Sequence, residues 1–307
     1  MPENDDLPLP YDLAAQYGAG HNRALVLGGG GIFFIAWQVV YLHELAKRGV
    51  QLGNATLVVG TSAGSVVASL ATAGRIGLAR AQLEVLAKVP SVMSAMAPAT
   101  GLRQSQQRAL ALFRDATDAA PDTIRTIGHA ALAADASPAG RLRRSLTALV
   151  STRGWPSEAL AVTTVDTFTG ERLVIRSGAQ VSAARAAAAS SSVPGLFSPQ
   201  PVGDRRCMDG GVSGTGTHAD LTVGAERVVI LSLSAHTTAS EPMMTIRPDS
   251  LPNEIDAVRR AGGEVFVRGP LEADLATLMS PSSVPAAVAM ATRQASDDAD
   301  VLGRFWG

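Results

Sequence analysis

The chain is short of cysteine, of aromatic rings and of charge. A single Cys207 among 307 residues excludes an intrachain disulfide and a cysteine-cluster metal site. It suits a reducing, cytoplasmic setting. Charged residues make up 17% and the formal net charge is −1, so there is no field to draw in nucleic acid. Aromatics are only 4% against 46% hydrophobic residues overall, so the core must be built from aliphatic and small side chains. The first residues, MPENDDLPLPYDLA, carry neither the basic start nor the apolar run of a signal peptide. The stretch from Ala24 to His43 is uncharged and long enough to span a bilayer. Four consecutive glycines near its start argue against one continuous helix. The phosphate-loop pattern G-x-x-x-x-G-K-[ST] is absent.

What is present is a run of α/β punctuation. Arg23–Leu27 reads as a buried strand, Gly28–Gly31 as a turn and Ile32–Lys47 as a helix apolar nearly all round. Leu57–Val59 reads as a second strand, followed without a loop by Gly60-Thr61-Ser62-Ala63-Gly64 and a helix to Leu70. A G-x-S-x-G between strand and helix is a nucleophile elbow. Gly60 and Gly64 clear space where strand and helix approach, and Ser62 projects its hydroxyl. Residues 71–149 read as several helices broken at Pro90, Pro98, Pro121 and Pro138, which suit an inserted cap or plain helical packing. Further strands are expected at 159–164, 172–176 and 227–233, a helix at 254–262, and helix from Leu271 to the end.

The amides of Gly28, Gly29, Gly30 and Gly31 are candidates to bind a developing oxyanion. A dinucleotide fingerprint fails in both frames, because Phe33 or Phe34 stands where the third glycine belongs. For the base, His218 in TGTHAD has no distinguishing context and reads as a helix-start or surface histidine. Asp209, with Gly210 and Gly211 after a strand, reads equally as a base and as a simple Asp-Gly turn.

GGGG at 28–31, GTSAG at 60–64 and DGG at 209–211, in that order, resemble the patatin-like phospholipase family, and SSSVPG at 190–195 resembles the segment before its aspartate. The resemblance implies a three-layer α/β fold with a mostly parallel central sheet flanked by helices. Together with the residue pattern, this gives a tail or strap at 1–22 and one patatin-like domain over 23–307, with a helical insert at about 71–149. The resemblance also implies a Ser62–Asp209 dyad that forms an acyl-enzyme on phospholipid or acylglycerol esters, without metal or cofactor. Peripheral membrane contact is the expected meeting place with lipid, and no nucleic-acid partner is expected. A soluble esterase or thioesterase on the same dyad is the alternative, as is a weakened binding or regulatory homologue. Support for the last comes from Ile32-Phe33-Phe34, which stand where many family members carry a basic residue and a glycine. The two rings could narrow the acyl entrance or pack in the core.

Overall fold

A computed structural model describes residues 9–10, 12, 15–88, 101–150, 154–236 and 246–307. The proline breaks expected at 90 and 98 lie outside these residues. The strands, in chain order, are β1 (Leu9–Pro10), β2 (Arg23–Leu27), β3 (Leu57–Thr61), β4 (Leu160–Asp166), β5 (Arg172–Ile175), β6 (Gln200–Val202), β7 (Arg205–Asp209), β8 (Arg227–Leu231) and β9 (Glu264–Arg268). The helices are α1 (Gly31–Lys47), α2 (Ala63–Thr72), α3 (Ile76–Lys88), α4 (Gln104–Arg114), α5 (Pro121–Ala133), α6 (Ala139–Val150), α7 (Ala183–Ser190), α8 (Ser250–Arg260) and α9 (Val284–Trp306).

The strands form one mixed sheet in the order β1-β5-β4-β3-β2-β8-β9, in which β4, β3, β2, β8 and β9 run parallel. β5 pairs antiparallel with β4, and β1 with β5, so residues 9–10 of the expected strap add to that edge. The central strands are apolar throughout because both faces are covered. Leu25, Leu27, Val58, Val229 and Leu231 share a core with α1, α2, α7 and α9. Ala24, Val26, Val59, Val228 and Ile230 point the other way, onto Leu251 and Val258 of α8 and the turn at Ala219–Thr222. The alternation follows from the period of two along a strand, and it yields three layers.

α1 is buried along nearly its whole length, Gln38 included, as its sequence requires. Phe33 and Phe34 are part of that core. α9 lies against α1, tied by Trp37 Nε1 donating to Gln294 Oε1 at 2.9 Å and Tyr41 Oη donating to Asp298 at 2.8 Å. The expected helix from Leu271 is replaced until Val284 by two short turns at Leu275–Thr277 and Pro281–Ser283. The Asp274 and Ser280 side chains accept the amides of Ala276 and Ser282 there, and Pro281 sits inside the second turn. These local bonds compete with helix. The segment instead crosses the glycine turn, where the Leu278 carbonyl accepts the Phe33 amide at 3.0 Å.

One detail of register positions the site. β3 and β7 lie on the same side of β4 and point at each other. Thr61, the last residue of β3, faces Thr163, and Asp209, the last residue of β7, faces Thr164. Two strands therefore end opposite adjacent residues of a third, and the residues leaving them meet.

Candidate active site

Ser62 follows β3 directly and turns the chain into α2. Its backbone sits at φ +50°, ψ −120°, a region that costs a non-glycine residue about 1–3 kcal/mol. Neighbours hold it there. Ser190 Oγ accepts the Ser62 amide at 2.8 Å. The Ser62 carbonyl accepts the amide of Ser65 at 2.9 Å and its hydroxyl at 2.6 Å. A Cβ on Gly60 would lie 2.6 Å from Ser65 Cα, and one on Gly64 would overlap the Leu27 carbonyl. Gly64→Ala must therefore part α2 from β2. We expect a loss of about 3 kcal/mol or more in urea denaturation, or no folded protein.

The Ser62 hydroxyl donates to Asp209 Oδ2 at 2.7 Å. Asp209 Oδ1 accepts the Gly211 amide at 2.8 Å, and its own amide donates to the Ser192 carbonyl at 3.0 Å. The carboxyl is 4% exposed. Burial pushes its pKa up to about 6, against the opposing pull of the Ser62 and Gly211 hydrogen bonds. Gly210 packs against Thr163, where a Cβ would come within 2.8 Å of the hydroxyl.

The four glycines do not act alike. The Gly28 amide donates to the Leu231 carbonyl and the Gly29 amide to the Gly216 carbonyl, both at 2.9 Å. The first bond continues the pairing of β2 with β8 and the second ties the turn to the loop at Gly216, so these two amides are already committed, which corrects the expectation that all four line an oxyanion hole. Gly31 opens α1 at φ +66°, a left-handed conformation that suits glycine. Gly29, Gly30 and Gly31 line the cavity described next.

Above Ser62 lies a cavity of about 610 Å³. Ser62, Ala63 and Asp209 line it, with an apolar wall that includes Ile35, Leu110, Phe113, Leu142, Leu146 and Leu196. Phe33 and Phe34 do not line it; Ile32 and Ile35, on the other side of the same helix turn, do. The reading of those rings as a narrowed entrance is thereby overturned in favour of core packing, because side chains on adjacent helix positions diverge by about 100°.

His218 starts a short turn, as expected, but it is fully buried rather than a surface residue. Its Nδ1 lies 3.0 Å from Thr61 Oγ1 and its Nε2 2.9 Å from Ser213 Oγ. The sequence reading gave no role to Ser190, Ser65, Thr61 or Ser213. The hydroxyl-rich run at 190–192 was the one signal available for Ser190.

A tight strand-to-helix turn at the carboxyl end of a parallel strand, with a buried carboxyl on its serine hydroxyl, has the geometry that hydrolase-type sites use in α/β proteins. The sequence model of the patatin-like phospholipase family matches residues 25–219, and the chain belongs to that family. No curated protein sequence matches. Among solved structures, VipD from Legionella pneumophila is similar at TM-score 0.41 and 16% identity, over 92% of this chain and 67% of that one. The type III effector protein ExoU is similar at TM-score 0.40 and 16% identity, over 92% of this chain and 53% of that one. The chain thus spans about half the length of ExoU. Among the described residues no helix is long and apolar enough to cross a membrane.

Proposed function

We propose that the protein cleaves carboxylic esters of phospholipids or acylglycerols, with Ser62 as nucleophile and Asp209 as the base. The observation that carries this reading is the 2.7 Å Ser62–Asp209 hydrogen bond at the foot of an apolar cavity. Ser62 Oγ attacks the ester carbonyl carbon while its proton passes to Asp209 Oδ2. Amides of Gly30, Gly31 and Ala63 meet the charge that develops on the carbonyl oxygen. The tetrahedral species collapses, the alkoxide leaves with the proton from Asp209, and an acyl-enzyme remains. Water then attacks this ester, Asp209 takes a proton from it, and Ser62 recovers its hydrogen as the fatty acid departs.

An ordinary aspartate is a weak base at neutral pH. A carboxyl whose pKa burial has raised to about 6 is a stronger one and still ionised at pH 7.5. The acid limb of kcat/KM is therefore expected near pH 6. A limb near pH 4 would contradict the assigned role of the buried carboxyl.

The cavity wall supports an acyl chain as the group bound. We read 23–307 as one catalytic unit in which α4 and α6 supply part of that wall, and we read membrane contact as peripheral. Mass spectrometry of the products from mixed-lipid vesicles tests the substrate class. Release of fatty acids from vesicles, in preference to hydrolysis of short water-soluble esters, supports the proposal; the opposite preference favours a soluble esterase. Leu196→Trp should fill the cavity and lower kcat/KM for long-chain esters at least ~10-fold more than for acetate esters. Equal losses on both would show that the chain does not lie there.

A further inference from the structure

His218 is buried in the layer beneath Ser62, and both ring nitrogens are engaged. The direction of each hydrogen bond is assigned by giving every hydroxyl hydrogen to its most favourable acceptor. Ser213 has one hydroxyl hydrogen, and it donates to the Gly210 carbonyl at 2.8 Å. Ser213 Oγ can then only accept from the imidazole, so Nε2 carries the ring hydrogen. Nδ1 is left as an acceptor, and the Thr61 hydroxyl supplies its hydrogen at 3.0 Å. The Thr217 carbonyl, 3.4 Å from Thr61 Oγ1, and the Gly60 carbonyl, 3.4 Å from Thr163 Oγ1, are the longer alternatives; with the Thr61 hydrogen given to the nearer Nδ1, its oxygen accepts from Thr163 Oγ1 at 2.8 Å. One directed chain results: Thr163 to Thr61, Thr61 to His218, His218 to Ser213, Ser213 to Gly210.

The two ends of that chain matter. Thr61 immediately precedes Ser62, and Gly210 immediately follows Asp209. The imidazole spans the gap between β3 and the turn after β7, two segments joined directly by no shared strand pairing. The ring is itself aimed from α8. Glu254 Oε2 accepts the Thr217 hydroxyl on one side of His218 and the Ala219 amide at 2.9 Å on the other. His218 is held at φ +56°, a conformation that few non-glycine residues adopt.

We propose that His218 is a positioning residue that locks the Ser62 elbow to the Asp209 loop and so sets the distance across which the proton moves. The inference rests on the reading of Ser62 and Asp209 as the reacting pair. Neither His218 nor Ser213 lines the cavity, so the effect of altering Ser213 passes through that pair; Thr61 does line it, so Thr61→Val is read beside Thr61→Ser, which keeps the hydroxyl. The lock needs a neutral ring, because a proton on Nδ1 would remove the acceptor for Thr61. Burial, with the nearby Arg172 cation, holds the pKa of His218 well below its ordinary value. Arg172 is paired with Asp220, and the Glu254 carboxyl also lies against this segment.

The test uses the full-length enzyme, with active sites counted by fluorophosphonate titration. Ser213→Ala removes the acceptor for Nε2, and Thr61→Val removes the donor to Nδ1. Each is expected to lower kcat per titrated site about 10-fold or more, with KM within about 2-fold. The acid limb of the pH profile should move upward, because a loosened Ser62 hydrogen bond no longer lowers the pKa of Asp209. Thr61→Ser, which keeps the hydroxyl, should restore kcat. The double variant should be little worse than either single one, since both cut the same chain. A loss of titratable sites with kcat per site and the acid limb unchanged would reduce His218 to a packing residue and overturn the proposal. If wild-type protein is labelled at Ser62 but the variants behave like it, the lock alone fails. If wild-type protein takes no label there, the reacting pair fails and the lock with it.

Discussion

Ser62→Ala is expected to abolish ester hydrolysis, with kcat reduced ~10⁴-fold or more. No second nucleophile can substitute, because the attacking oxygen must hydrogen-bond the base while facing the cavity. Among the described residues the hydroxyl donating to Asp209 is that of Ser62. The fold should survive, since alanine keeps the Cβ, and the bonds that hold the turn run from the backbone of Ser62 to Ser190 and Ser65. Removing the hydroxyl also removes a bond that favours the charged form of Asp209, so its pKa should climb further above about 6. A folded Ser62→Ala protein with more than a few per cent of wild-type turnover would show that the reaction proceeds elsewhere.

Asp209→Asn is expected to be the second large loss, ~10³–10⁴-fold in kcat, because the amide cannot take the Ser62 proton. The same change should stabilise the protein at high pH. The folded-state pKa is about 6, above the ordinary carboxyl value of the unfolded chain. A group raised in this way favours folding below the unfolded pKa, near ~4, and loses that contribution as pH rises through the folded one. At pH 8 the buried carboxylate costs about 3 kcal/mol relative to an uncharged group. Asn should therefore raise Tm by several degrees at pH 8, with the gain fading toward pH 4. A gain that grew as pH fell would reverse the sign of the shift.

The elbow and the glycine turn were readable because strain leaves a compositional trace. Close strand–helix approach demands Gly60 and Gly64, and an all-apolar helix such as α1 can only be central. The direction of side chains around a helix leaves no such trace in a two-residue run, so the sequence favours core packing of Phe33 and Phe34 but leaves a narrowed entrance open beside it. Pattern alone also could not divide the glycine amides. Gly28 and Gly29 are claimed by carbonyls of Leu231 and Gly216, about two hundred residues away in the chain. The burial of His218 was hidden for the same reason. Its partners Thr61 and Ser213 lie beside it because β3 and β7 end against adjacent residues of β4, and that register is a property of the assembled sheet. The C-terminal segment misled through its helix-forming composition between Leu271 and Met279, where short side-chain caps and the contact of Leu278 with Phe33 prevail.

The most direct measurement is the rate of covalent labelling by a fluorophosphonate as a function of pH, with the adduct mapped by peptide mass spectrometry. A single adduct on Ser62 is predicted, forming with a rate that falls below about pH 6 and collapses in Asp209→Asn. An adduct on another serine, or a Ser62 rate indifferent to the loss of the Asp209 carboxylate, would contradict it.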